Sequence, residues 1–126
     1  MEKKVISTTE APGAIGPYSQ AISAGNLLFT SGQLGLDLET GKLAQGVEAQ
    51  AHQAMKNIGA ILRAEKLAYE NILKSTIFVQ DLGDFQTINQ VYAGYFSGEY
   101  PARSCVQVAA LPLGALVEIE CIALKR

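Results

Sequence analysis

Two glutamates, Glu118 and Glu120, stand inside the apolar run from Val117 to Leu124. Neighbouring side chains of a strand point to opposite faces, so both carboxylates share a face with Ile122 and Leu124, while Val117, Ile119, Cys121 and Ala123 take the other. Glutamate is depleted in strands and a buried carboxylate needs a partner, which makes the pair a local inconsistency of the kind function often explains. An exposed edge-strand face explains it equally. Arg103 is the cation within reach. It opens a β-prone run, Ser104 to Ala109, that the segment Leu111-Pro112-Leu113-Gly114-Ala115 is expected to fold back, as a hairpin, toward the strand of Glu118. If their parity places them on one face, the planar guanidinium offers a two-pronged fork to a carboxylate while Glu118 orients a water nearby. A structural salt bridge would use the same two residues. Pro101-Ala102 and Ser104-Cys105 keep the start of the strand small and restricted, which leaves space for a small ligand.

Other chemistries find no material in this chain. His52 is the only histidine, so a His-based triad or a multi-His metal site has nothing further to build on. It falls on the polar flank of a helix with Gln45, Glu48 and Lys56 and reads as solvated. Cys105 and Cys121 are too few and too far apart for a zinc site and are expected to be buried thiols. Gly32-Gln33-Leu34-Gly35 lacks the later glycine of a dinucleotide-binding turn, and no Walker-type loop occurs. No cofactor or metal is expected. Ten basic against twelve acidic residues give a net charge of −2, whereas nucleic-acid affinity comes from clustered Lys and Arg, so no nucleic-acid partner is expected.

The elements that must position these residues follow from length and periodicity. At 126 residues, 48% hydrophobic and 17% charged, the chain fits one ordered domain, residues 1–126. Met1-Glu2-Lys3-Lys4 leads into no apolar segment of signal length and no run spans a bilayer, so the expectation is a soluble, cytoplasmic protein with no membrane partner. Tyr18 to Ser23 and Leu27 to Ser31 read as strands meeting at Gly25-Asn26. Val47, Ala51, Ala54, Met55, Ile58, Ile61 and Leu62 mark one face of a long helix. Ile72 to Gln80 reads as a strand apolar on both faces. Asp84 is placed as the N-cap of a second helix, striped by Phe85, Ile88, Tyr92, Tyr95 and Phe96, with Gly94 inside it at some cost and Gly98 and Pro101 ending it. The order ββ, helix, β, helix, ββ predicts an α+β layer with two helices on one face of a mixed sheet. Two helices cannot cover both faces, so the chain is expected to self-associate, with sites at subunit boundaries.

Pro101-Ala102-Arg103-Ser104-Cys105-Val106, followed by Leu111 and Val117-Glu118-Ile119, resembles the signature segment of the reactive-intermediate deaminase A (RidA, YjgF-type) family. Gly16-Pro17-Tyr18-Ser19-Gln20-Ala21, Phe29-Thr30-Ser31-Gly32-Gln33 and Thr87-Ile88-Asn89 are similar to the family's other recurring stretches, so the resemblance covers essentially the whole chain. It implies the chorismate-mutase-like α+β fold, a homotrimer with a central barrel, and hydrolysis of 2-imino acids or their enamine tautomers to 2-oxo acids and ammonia, without a cofactor. In that reading Arg103 holds the substrate carboxylate and Glu118 orients the attacking water and helps proton delivery to nitrogen. Backbone N–H groups near Gly32 and Cys105 fix the substrate, Tyr18 closes the cleft, Asn89 lines the pocket, and Ser31 is a polar contact. Cys105 shapes the pocket and is not a nucleophile, and Glu120 is left unassigned. A non-catalytic 2-oxo-acid-binding or regulatory protein of the same fold is the alternative, and an RNA-directed activity the more distant one.

Overall fold

Alternate burial along β7 (Val117–Leu124) identifies it as the spine of the sheet. In the computed structural model, which describes residues 2–125, Val117, Ile119, Cys121 and Ala123 are buried while Glu118, Glu120 and Ile122 are only half-buried. The other strands are β1 (Lys3–Ile6), β2 (Ala21–Ala24), β3 (Leu27–Thr30), the short β4 (Gln33–Leu34), β5 (Ile72–Val79) and β6 (Ala102–Gln107). They form one sheet in the order β1-β2-β3-β7-β5-β6, with β4 also paired to β7. Only β5 and β6 run parallel. The β2–β3 hairpin closes at Gly25-Asn26 as expected, with Gly25 in the left-handed region at φ 58°, where a side chain is costly.

Helices α1 (Gly46–Ala64) and α2 (Phe85–Ala93) cover one face. The α1 stripe is the predicted one: Ala51, Ala54, Met55, Ile58, Ile61 and Leu62 are all buried, with the helix packed over β7 and β4. Burying each of the larger of these side chains contributes roughly 1.5–3 kcal/mol before the cost of ordering. Two polar residues share that face. Gln50 donates to the Ala44 carbonyl and accepts from the Leu116 N–H, and Asn57 donates to the carbonyls of Leu34 and Leu36. Each ties a loop beside β7 to the helix.

The structure departs from the expected elements in several places. β6 and β7 are not a hairpin. β5 lies between them, because α2 carries the chain from β5 to β6 as a parallel crossover and the Leu111–Ala115 segment then spans β5 to reach β7. Parallel neighbours need such a long crossover, whereas apolar content alone does not say which strands pair. Strands β1 and β4 were not foreseen, being short and, in β1, largely polar. Tyr18 precedes β2 in a loop. Asp84 occupies the N-cap position without a capping bond; Asp81, three residues earlier, accepts from the Gly83 N–H at the turn leading into α2. α2 ends at Ala93 with Gly94 as its C-cap, so Gly94 lies at the helix end, where it costs little, while the rings of Tyr95 and Phe96 still pack on the core.

The second face of the sheet is bare. Val5, Ile22, Phe29 and Ile122 stand in register across four strands, and Phe78 and Val106 extend the same face over β5 and β6. Val5, Phe29 and Val106 are exposed.

Candidate active site

The residues singled out from sequence fall into two groups on opposite faces of the sheet. Arg103 belongs to the helix side. In the ladder it lies beside Ser75 of β5, which in turn lies beside Cys121 of β7. Its guanidinium donates from Nη1 to the Asn89 Oδ1 at 2.6 Å and stands 5.4 Å from the Phe85 ring centroid and 5.6 Å from that of Tyr92. These three α2 residues succeed one another at intervals of four and three, which places them on one face of the helix. Among the described residues no carboxylate lies within salt-bridge distance of Arg103. The structural salt bridge that competed with the clamp is therefore not found among the described residues. A cavity of about 440 Å³, lined by Asn89, Tyr92, Ala93, Tyr100, Pro101 and Arg103, opens in front of it.

Glu118 belongs to the bare face. It shares a larger cavity, about 670 Å³, with Tyr18, Ser31, Gly32, Glu120 and an apolar wall that includes Ile15, Leu34 and Leu113. Leu113 holds a left-handed φ of 61° at the cavity rim, an unfavourable conformation for a branched side chain. Burial, first, and the Glu120 carboxylate, second, raise the Glu118 carboxyl above its ordinary range. Gly32 is what lets it sit there. A Cβ on residue 32 would collide with the Glu118 Oε2 and come within 2.7 Å of its Cδ. The blocking atoms are the end of a flexible side chain, so Gly32→Ala is expected to fold with little change in melting temperature while moving the carboxylate. Displacing the carboxylate is expected to slow any reaction it serves roughly 100-fold, which a steady-state assay of the activity proposed below checks.

The rest of this half-site is built by the loop before β2. The Ser31 hydroxyl donates to the Ser19 carbonyl at 2.6 Å, and the Ser31 N–H to the Gln20 carbonyl at 2.9 Å. The hydroxyl predicted as a substrate contact thus holds the Tyr18 loop on β3. Tyr18 itself is half-exposed at the rim. Gln20 went unrecognised as a positioning residue. Buried, it accepts from the Thr8 N–H and donates to the carbonyls of Ala11 and Pro12, fixing the segment that carries the Pro12 and Gly13 wall. Asn57 does the same for the Leu34–Leu36 wall, and Gln50 for the neighbouring Ala44 and Leu116 backbone; two amides seven residues apart beside an apolar stripe are the signal that marks them.

Arg103 and Glu118 do not meet within the chain. The expectation of one shared face is corrected: β7 buries its odd-numbered residues against the helices, and that is also the side on which Arg103 packs, leaving Glu118 behind the sheet. Glu118 pairs in register with Phe78, and Phe78 with Val106, so Arg103 is also two strands and three residues away, about 10 Å in each direction. Cys105 lines neither cavity. It packs partly buried against the core, and burial raises its thiol pKa despite the opposing charge of Arg103, unlike an activated nucleophile. Cys121 is fully buried, as expected. His52 is exposed and pairs through Nδ1 with the Tyr95 hydroxyl at 2.9 Å. Among the described residues no group of three metal-ligating side chains occurs, and no helix is long and apolar enough to cross a membrane.

The sequence profile of the endoribonuclease L-PSP family matches residues 8–125. The chain belongs to this family. Its relatives in the L-PSP family include Reactive Intermediate Deaminase A, chloroplastic, of Arabidopsis thaliana, 56% identical over 98% of this chain and 66% of that protein, so the chain spans about two thirds of that relative. The 2-iminobutanoate/2-iminopropanoate deaminase of Mus musculus is 51% identical over 98% of this chain and 92% of that protein. Two solved structures from E. coli superpose with a TM-score of 0.94. They are TdcF with bound serine, 46% identical, and the YjgF gene product, 45% identical, each covering 98% of this chain and 99% of its own. The fold is thus the YjgF type that the sequence motifs implied.

Proposed function

We propose that this chain is a deaminase that hydrolyses 2-iminobutanoate and 2-iminopropanoate to the 2-oxo acids and ammonia. The observation that carries this reading is an arginine whose Cζ lies over two aromatic rings and whose guanidinium, among the described residues, gives one N–H to Asn89. Such a guanidinium is half-buried, positioned and, among the described residues, without a counter-anion, which is what a substrate carboxylate requires. The activity is that named for the mouse relative.

The site we propose joins two copies. Arg103, on an edge strand of one subunit, faces Glu118, Gly32, Ser31 and Tyr18 of the next, and three copies close the bare apolar faces into a barrel. Supporting this, neither half-site contains both a carboxylate clamp and a group to orient water, and among the described residues nothing covers the apolar row of the bare face. In the joined site the imine carboxylate lies on Arg103 and its C=N carbon faces Glu118. The Glu118 carboxylate accepts a hydrogen bond from water and draws its proton as the oxygen adds to that carbon. It delivers that proton to nitrogen, giving the carbinolamine, and then carries the hydroxyl proton of that intermediate to nitrogen as well, so that the C–N bond breaks, ammonia leaves and the C=O forms. A raised carboxyl pKa suits a group that must both take and return a proton. Asn89 aligns the clamp, Tyr18 closes the cleft, and backbone groups near Gly32 and Cys105 border the substrate. Two free thiols accord with a cytoplasmic location.

A binding role is favoured by one observation, the serine held by E. coli TdcF. Ammonia release from freshly generated 2-iminobutanoate separates the two readings. Catalysis is expected well above the spontaneous rate, and a rate equal to the spontaneous one leaves only binding. Cleavage of RNA that the Arg103→Ala variant retained in full would place the activity at another site.

A further inference from the structure

Tyr92 is buried on the inner face of α2, yet its position goes beyond filling the core. Its hydroxyl donates to the Ser75 Oγ at 2.8 Å, and Ser75, 1% exposed, is the residue beside Arg103 in the parallel ladder. Burial raises the phenol pKa, so the hydroxyl stays protonated and able to donate. The ring is confined a second time by Phe96, whose centroid lies 4.9 Å away. With its edge pinned to β5 and its side closed by Phe96, the ring lies 5.6 Å from the Arg103 Cζ, while Phe85 stands 5.4 Å from the same atom. Asn89 then takes one N–H, leaving the rest of the fork directed at the cavity.

We propose that Tyr92, anchored through its hydroxyl to Ser75, is a positioning residue that fixes the plane of the Arg103 guanidinium and so sets the affinity of the site for the substrate carboxylate. This rests on the carboxylate-clamp reading of Arg103. A ring face attracts a guanidinium and replaces water that would otherwise compete for its N–H groups, and the attraction is strongest where both are desolvated. Phe85, at the solvent edge, supplies a second face but has no anchor, so the geometry depends chiefly on Tyr92.

The experiment compares wild type with Tyr92→Phe, which keeps the ring and loses the anchor, and Tyr92→Leu, which loses both. Three readouts are taken: rotation of the Arg103 guanidinium about its Nε–Cζ bond by NMR in the ligand-free protein, the Kd for 2-oxobutanoate by calorimetry, and the division of any deaminase loss between KM and kcat. Rotation is expected to quicken in both variants. Kd and KM should rise about threefold in Tyr92→Phe and about tenfold in Tyr92→Leu, with kcat within about twofold, since a contact made equally in ground and transition states acts on KM. A residue that only fills the core would lower the melting temperature and leave rotation and Kd at wild-type values, and that result overturns the proposal. If Tyr92→Leu does not fold, unchanged rotation in Tyr92→Phe is sufficient to overturn it. Should wild type itself fail to bind 2-oxobutanoate, the clamp reading falls, and the rotation measurement still reports whether Tyr92 orders Arg103.

Discussion

Mixing two inactive variants, Arg103→Ala and Glu118→Gln, is expected to restore deaminase activity. Each variant alone lacks one half of every site. Arg103→Ala has no fork for the carboxylate, and Glu118→Gln has an amide in place of the carboxylate that must take a proton from water. Both should retain on the order of 1% of wild-type activity or less, the scale of losing the charge-assisted hydrogen bonds of a clamp in one variant and a positioned acid–base group in the other. On opposite faces of one sheet, Arg103 and Glu118 cannot be brought together by a side-chain rotation. If the site joins two copies, a hybrid oligomer in which the Arg103 side comes from the Glu118→Gln subunit and the Glu118 side from the Arg103→Ala subunit contains an intact site. For subunits unfolded together in equal amounts and refolded, random assembly makes each half intact with probability one half, so about one quarter of the sites should work, whatever the number of subunits in the ring. Recovery to roughly a quarter of wild-type activity on co-refolding, with none on simply combining the two oligomers on ice, is the expected pattern. If co-refolded samples stay at the level of the separate variants, each chain must carry its own complete site and the reading across subunits is wrong.

That relation between Arg103 and Glu118 marks where the sequence was legible and where it was not. Local periodicity carried the elements: the α1 stripe from Val47 to Leu62 and the alternation of β7 are observed with the expected faces, because each is fixed by neighbours in the chain. The Arg103 fork and the Glu118 carboxylate were visible as residue types out of place in their surroundings. Pairing was not visible. Runs 104–109 and 116–124 are equally good partners for each other and for β5, and only the α2 crossover, long enough for a parallel connection, decides. The wrong neighbour then suggested the wrong face. The structural amides escaped for a different reason. Gln20 reaches backbone groups eight to twelve positions away in a loop with no repeating pattern, so nothing periodic announces it. Ser31 shows the converse: a hydroxyl next to a candidate site suggests ligand contact until its carbonyl partner, Ser19, is located.

Arg103→Lys is expected to lower kcat/KM about 100-fold while the protein folds and assembles normally, an effect larger than conservation of charge suggests. The surroundings of Arg103 explain why. Asn89 and the two rings suit a delocalised cation: the Cζ lies over both rings, at 5.4 and 5.6 Å from their centroids, and the Asn89 oxygen accepts from one Nη1–H. An ammonium at the end of a four-carbon stem has no plane to stack and no second prong. It can satisfy Asn89 or a substrate carboxylate oxygen, but not the fork geometry that orients the C=N carbon toward Glu118. Losing one charge-assisted hydrogen bond costs about 1.5–3 kcal/mol, or roughly 10- to 150-fold, and misorientation of the bound imine adds to that in kcat. The fold is expected to tolerate the change because the long stem still covers the apolar surface of α2 and no ion pair is broken. The decisive comparison is with 2-oxobutanoate binding. Arg103→Lys should weaken it markedly with an unaltered melting temperature, and near-normal binding and turnover in this variant would mean that the carboxylate is held elsewhere.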